Sequence, residues 1–103
     1  MIQITIVTDD GITAIRIAEF LVKENLVINA KLLGKVQQCS KTEAGVIMEN
    51  KFMLIAITKG ALFNLIDTKL KEEFPGKQIE FNAVPIVNMN WEHSEKLASE
   101  ILS

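Results

Sequence analysis

The chain has few of the residues on which ordinary catalysis relies. His93 is the only histidine and Cys39 the only cysteine in 103 residues, so spacing alone assembles no Cys/His nucleophile pair. One cysteine also excludes an internal disulfide, which fits a reducing cytoplasm. The Cys-x-x-Cys, His-Glu-x-x-His and calcium-loop spacings are absent, as are the P-loop and GxGxxG. No apolar run approaches the roughly 20 residues that a membrane-spanning helix needs. The start, Met1-Ile2-Gln3-Ile4, lacks the basic region and small-residue cleavage site of a signal peptide. Lys and Arg number 11 against 13 Asp and Glu, for a net charge of −2, and no basic stripe is visible. Nucleic-acid binding is therefore disfavoured. With no linker, repeat or low-complexity stretch, residues 1–103 read as one domain.

What the chain has in excess is apolar patterning, at 49% hydrophobic residues. The order reads strand, helix, strand, strand, helix, strand, then a short tail helix. Residues 2 to 8 alternate as a β-branched strand, and Thr8-Asp9-Asp10-Gly11 supplies capping oxygens before helical periodicity begins. Ile12, Ile15, Ala18, Leu21 and Val22 are expected to form the buried stripe of that helix, with Thr13, Arg16, Glu19 and Lys23 wet and Asn25 as its stop. A second strand is expected over 26 to 39, with a bulge at Gly34. Ser40 to Gly45 should turn it back into residues 46 to 58 as a long hairpin.

The next helix should run from near Gly60 to Phe74, burying Leu62, Leu65, Ile66, Leu70 and Phe74, and end at Pro75-Gly76. The last strand, about 78 to 87, places Ile79, Phe81, Ala83, Pro85 and Val87 on one side, and Pro85 marks an edge or a strand end. Asn88 or Asn90 caps a tail helix whose stripe is Leu97, Ala98 and Ile101. The whole is an α+β, ferredoxin-like βαββαβ sandwich: a four-stranded antiparallel sheet with helices on one face. Val46-Ile47-Met48 and Phe52 to Ile57 are apolar at successive positions, where a half-exposed strand would alternate. Two full helices cover one sheet face, so the other calls for a second covering, most simply another copy of the chain.

Glu80 to Ile86 (Glu-Phe-Asn-Ala-Val-Pro-Ile), preceded by Phe74-Pro75, resembles the corresponding region of the CutA family, whose members carry His-Pro-Tyr-x-x-Pro-Glu-Ile and then Leu-Pro-Val. The likeness extends over about residues 4 to 101, through Val7-Thr8, Lys23-Glu24-Asn25-Leu26 and Gly45. It implies a ferredoxin-like protomer in a tight homotrimer, related in shape to the PII signalling proteins, and a role in divalent-cation tolerance. The chain departs from the family at its donors. The family's cysteine corresponds to Asn29, followed by Ala30 and Lys31, and its histidine to Phe74. The lysine after the hairpin glycine is Val46, and the family's tryptophans fall on Glu43 and Lys96.

The resulting expectation is a homotrimeric, non-enzymatic protein that binds a small ligand or responds to a divalent metal, with no catalytic residue and no dedicated metal set. Its site would lie between protomers, with Glu80 as acceptor for a cation or ligand donor and Asn29 and Lys31 beside the family's cysteine position. A solvated or subunit-paired carboxylate is the plainer reading of Glu80. The alternative is a PII-like regulator that binds a nucleotide or anion through Lys35, Lys41 and Lys51 and signals to a partner protein through the 35–50 hairpin. An isomerase or tautomerase using an acid between subunits ranks third. His93 and Cys39 read as an ordinary surface histidine and an inert thiol.

Overall fold

Residues 1–101 are described in the computed structural model, and their elements follow the expected order. They are β1 (Ile2–Thr8), α1 (Gly11–Lys23), β2 (Ala30–Thr42), β3 (Gly45–Thr58), α2 (Phe63–Glu73), β4 (Ile79–Pro85) and α3 (Trp91–Glu100), with a 3₁₀ turn, Gly60–Leu62, leading into α2. The strands form one antiparallel sheet in the order β2-β3-β1-β4. One core joins the inward side chains of that sheet to all three helices. This is the ferredoxin-like α+β fold.

Local chemistry sets the elements. Asp10 caps α1: its Oδ1 accepts from the Thr13 N–H at 2.7 Å and its Oδ2 from the Thr13 hydroxyl at 2.9 Å. At the other end Asn25 takes the left-handed conformation (φ 57°). The Leu26 N–H then reaches the Leu21 carbonyl and the Asn25 N–H the Val22 carbonyl, a Schellman ending that buries Leu26 against Leu21. Leu26 and Val27 are thus spent on closing the helix, and β2 starts at Ala30, four residues later than the sequence suggested.

The buried stripe of α1 also differs from expectation. Ala14, Ile17, Ala18 and Leu21 face the core together with Thr13, whereas Ile12 is 67% exposed and Ile15 48%. Val22 is exposed as well. Both stripes satisfy helical spacing; the Asp10–Thr13 cap selects between them by turning Thr13 inward.

β2 and β3 form a long hairpin with its bulge between Leu33 and Lys35, at Gly34 as expected. Its tip turns through Glu43 and Ala44 onto Gly45 (φ 113°), a conformation that favours glycine. Residues 41–50 are exposed throughout, and the molecule measures 49 × 29 × 21 Å. Leu62 of the 3₁₀ turn and Ile66 and Leu70 of α2 are buried as expected, but Leu65 is exposed on the flank and Phe74, just past the helix end, is only half-buried. β4 is an edge strand that ends at Pro85, which leaves Val87 in solvent. Asn90 caps α3 by position; Leu97 and Ile101 are buried, and Ala98 is exposed because it lies a quarter turn off that seam.

Candidate functional site

Alternation along the strands separates two faces. Ile4, Ile6, Leu54, Ala56 and Thr58 are buried under the helices, and Ile79, Phe81 and Ala83 of β4 share that side. The Thr58 hydroxyl donates to the Leu26 carbonyl at 2.6 Å there. Among the described residues no helix lies on the other face. Its rows run Leu33–Met53–Val7–Glu80, Lys31–Ile55–Thr5–Asn82 and Ile57–Gln3–Val84, with Leu33 42% and Val84 53% exposed. The apolar surplus noticed in the sequence is therefore real on both sides of β3, and one side is open.

Glu80 stands at a corner of this open face. The register that sets Val7 opposite both Met53 and Glu80 brings Asp9, Lys51 and Gln78 to the adjoining level, with Glu49 one step further along β3. Val7, Asp9, Glu49, Lys51, Gln78 and Glu80 line a cavity of about 290 Å³. Lys51 is its hub: the ammonium bonds the Asp9 carboxylate and lies 3.4 Å from Glu49 Oε2, with its side chain 15% exposed. The hydrogen bond to Asp9, against some desolvation, holds the Lys51 ammonium above its ordinary pKa, with Glu49 adding to the effect. Two carboxylates engage the ammonium; the third, Glu80, lines the same cavity and among the described residues makes no ion pair. The corner is electronegative and suits a positively charged or donor-rich visitor.

The remaining sequence candidates fall elsewhere. Lys31 lies on the same open face but on β2, the opposite edge of the sheet, three strand spacings of about 4.8 Å from β4. Asn29, exposed, immediately precedes that strand. Within one protomer Glu80 is therefore not brought together with Asn29 and Lys31. Cys39 is exposed on the hairpin and His93 lies on α3, so these two do not meet. Lys35 and Lys41 are exposed on β2, while Lys51 is already engaged by carboxylates, which leaves no lysine cluster shaped for phosphate. Among the described residues no three His, Cys, Asp or Glu side chains are placed to hold a metal ion together. Among the described residues no helix is long and apolar enough to cross a membrane.

An open four-stranded βαββαβ sheet with a long β2–β3 hairpin and a tail helix defines a recognisable class of structure. The chain has the fold of the CutA1 divalent-cation tolerance proteins. CutA1 from Pyrococcus horikoshii superposes with a TM-score of 0.88 at 18% identity, all of each chain being covered. The divalent cation tolerance protein from Thermus thermophilus gives 0.86 at 22% identity over 98% of this chain and 99% of that one. CutA1 from Oryza sativa gives 0.88 at 19% identity, with 98% and 93% covered. No family model and no curated protein matches the sequence.

Proposed function

We propose that the chain works as a CutA-like homotrimer that binds a cation or a small cationic ligand and acts by binding, without catalysis. The observation that carries the proposal is the uncovered apolar sheet face with the Glu80 corner at its rim. Val7, Leu33, Met53, Ile55, Ile57 and Val84 on one face form an extended surface of the kind that marks a permanent interface between copies. The likeness to the CutA1 structures, over nearly the whole of both chains, supports the same reading.

In this reading the Glu80 corner meets the edge of a neighbour, whose Asn29 supplies an additional oxygen ligand, while the neighbour's Lys31 ammonium, which has no lone pair, opposes a cation. The carboxylates of Asp9, Glu49 and Glu80 exceed the Lys51 charge by two, and oxygen donors select hard cations over the soft metals that thiolate and imidazole favour. Nothing in the corner offers the several free donors that a phosphate group needs, so the nucleotide alternative finds no support here.

Native mass spectrometry, with and without added magnesium, manganese, zinc and copper, tests the proposal. The expected result is a trimer that takes up a hard cation at defined stoichiometry, and Glu80→Gln that stays trimeric and loses about tenfold in cation affinity, the equivalent of one weakened ionic contact. A monomer, or a trimer whose Glu80→Gln variant binds as tightly as the parent, overturns it.

A further inference from the structure

Between α1 and the edge strand β2 runs a shallow groove of about 440 Å³, lined by Ala18, Val22 and Ala30 with Glu19 and Lys23 at its rim. We infer that this groove receives Trp91 of a second copy of the chain. The inference rests on the homotrimeric reading above and adds to it the contact by which one copy grips the next.

Ala18 and Ala30 are too small to fill the space between helix and strand, and the surface left there is apolar. Val22 is exposed on it. Leu32, two residues along β2 from Ala30 and therefore on the same side of the sheet, is exposed as well. At the rim Glu19 and Lys23 stand one helical turn apart with opposite signs, so charge selects no ionic ligand here. The volume is on the scale of small-molecule pockets, roughly 300–1,000 Å³, which accommodates an indole ring. What fits is an apolar side chain with no charge of its own.

The same chain carries such a side chain toward the other edge of the sheet. Trp91, its only tryptophan, is 73% exposed at the start of α3, beside Met1, Ile86 and the exposed Val87. Tryptophan is highly buried on average and is enriched among the anchors of interfaces. Level and edge both match. Ala30 shares a row with Ala56, Ile4 and Ala83, and β4 ends at Pro85, two residues past that row. Groove and tryptophan therefore sit at the same end of the sheet, one at the β2 edge and the other where the chain leaves β4. A closed ring of copies with their open faces inward sets the β2 edge of each beside the β4 edge of the next, because these are the two outer strands. Rotation about an axis running with the strands preserves level, so the tryptophan of one copy meets the groove of its neighbour all round the ring.

With one tryptophan and no tyrosine in the chain, intrinsic fluorescence reads this contact alone. The test measures mass by light scattering and, on the same sample, tryptophan emission and its quenching by acrylamide, with free N-acetyltryptophanamide as the exposed reference. The expected result is a trimer whose Trp91 emits to the blue of the reference and is quenched severalfold less. Val22→Lys, at an exposed position of α1, should return emission and quenching to the reference while far-ultraviolet dichroism keeps the parent's signal. Trp91→Ala should raise the concentration at which the assembly dissociates by at least about tenfold. A monomeric parent overturns the homotrimeric reading and this contact with it. A trimer in which Trp91 is quenched like the reference, or in which Val22→Lys leaves Trp91 shielded, overturns this contact alone.

Discussion

Asp10 illustrates how much a single side chain decides. Its carboxylate accepts both the backbone N–H and the hydroxyl of Thr13, and the resulting cap sets the rotation of α1. The same contacts, the Thr13 N–H foremost and its hydroxyl next, hold the Asp10 carboxyl below the usual carboxylate range. Because the folded-state pKa is depressed, the stability it contributes is present above the unfolded value of about 3.9 and is lost as pH falls through the lower folded value. Asp10→Asn keeps an oxygen acceptor for the helix but cannot ionise. Its melting temperature should lie below the parent's at pH 7, and the gap should close as pH falls below about 4. A gap that stays constant from pH 7 to pH 3 would show that the ionised carboxylate adds nothing to the cap.

At the scale of the element, most boundaries are legible because each has a local chemical cause. Thr8 to Gly11 starts α1, Asn25 stops it, Gly34 breaks the register, Gly45 turns the hairpin and Pro85 ends β4. The rotation of α1 is not legible, since Ile12, Ile15 and Ile17 offer equal hydrophobicity on different faces and only the cap discriminates. Truncation separates the two assignments. Ile17→Ala removes a fully buried side chain and should cost about 2–5 kcal/mol in urea unfolding. Ile15→Ala, on the half-exposed flank, should cost less than about 1 kcal/mol. Equal losses would restore the stripe that the sequence alone suggested. Of the candidate site the sequence singled out Glu80, and Lys51 only in a different role, as an anion binder. Asp9, Glu49, Lys51 and Gln78 come from three strands and their flanks, and only the β3-β1-β4 order with its register makes them neighbours. Charged residues two positions before or after a strand pair would have pointed to them, once that register had been written out.

For the whole molecule, the decisive contrast is between neighbouring residues of β3 that face opposite ways. Leu54 is completely buried beneath the helices, whereas Ile55 lies on the open face between Lys31 and Thr5. A charge on either is unfavourable for different reasons. Leu54→Lys places an unpaired ammonium in the protomer core, and the chain should fail to fold. Ile55→Lys leaves that core intact and burdens only the open face that the proposed assembly would cover, with like charge from Lys31 beside it. We therefore expect Ile55→Lys to dissociate the assembly, seen as a fall in mass by light scattering, while far-ultraviolet dichroism keeps its helix and strand signal. The milder Ile55→Thr should shift the same equilibrium toward smaller species in a concentration-dependent way, which keeps the test decisive if the lysine variant proves insoluble. Ile55→Lys and Ile55→Thr that both retain the parent's mass at every concentration would place the covering of this face somewhere other than a second copy. The Glu80 corner would then have to work with the ligands of one chain.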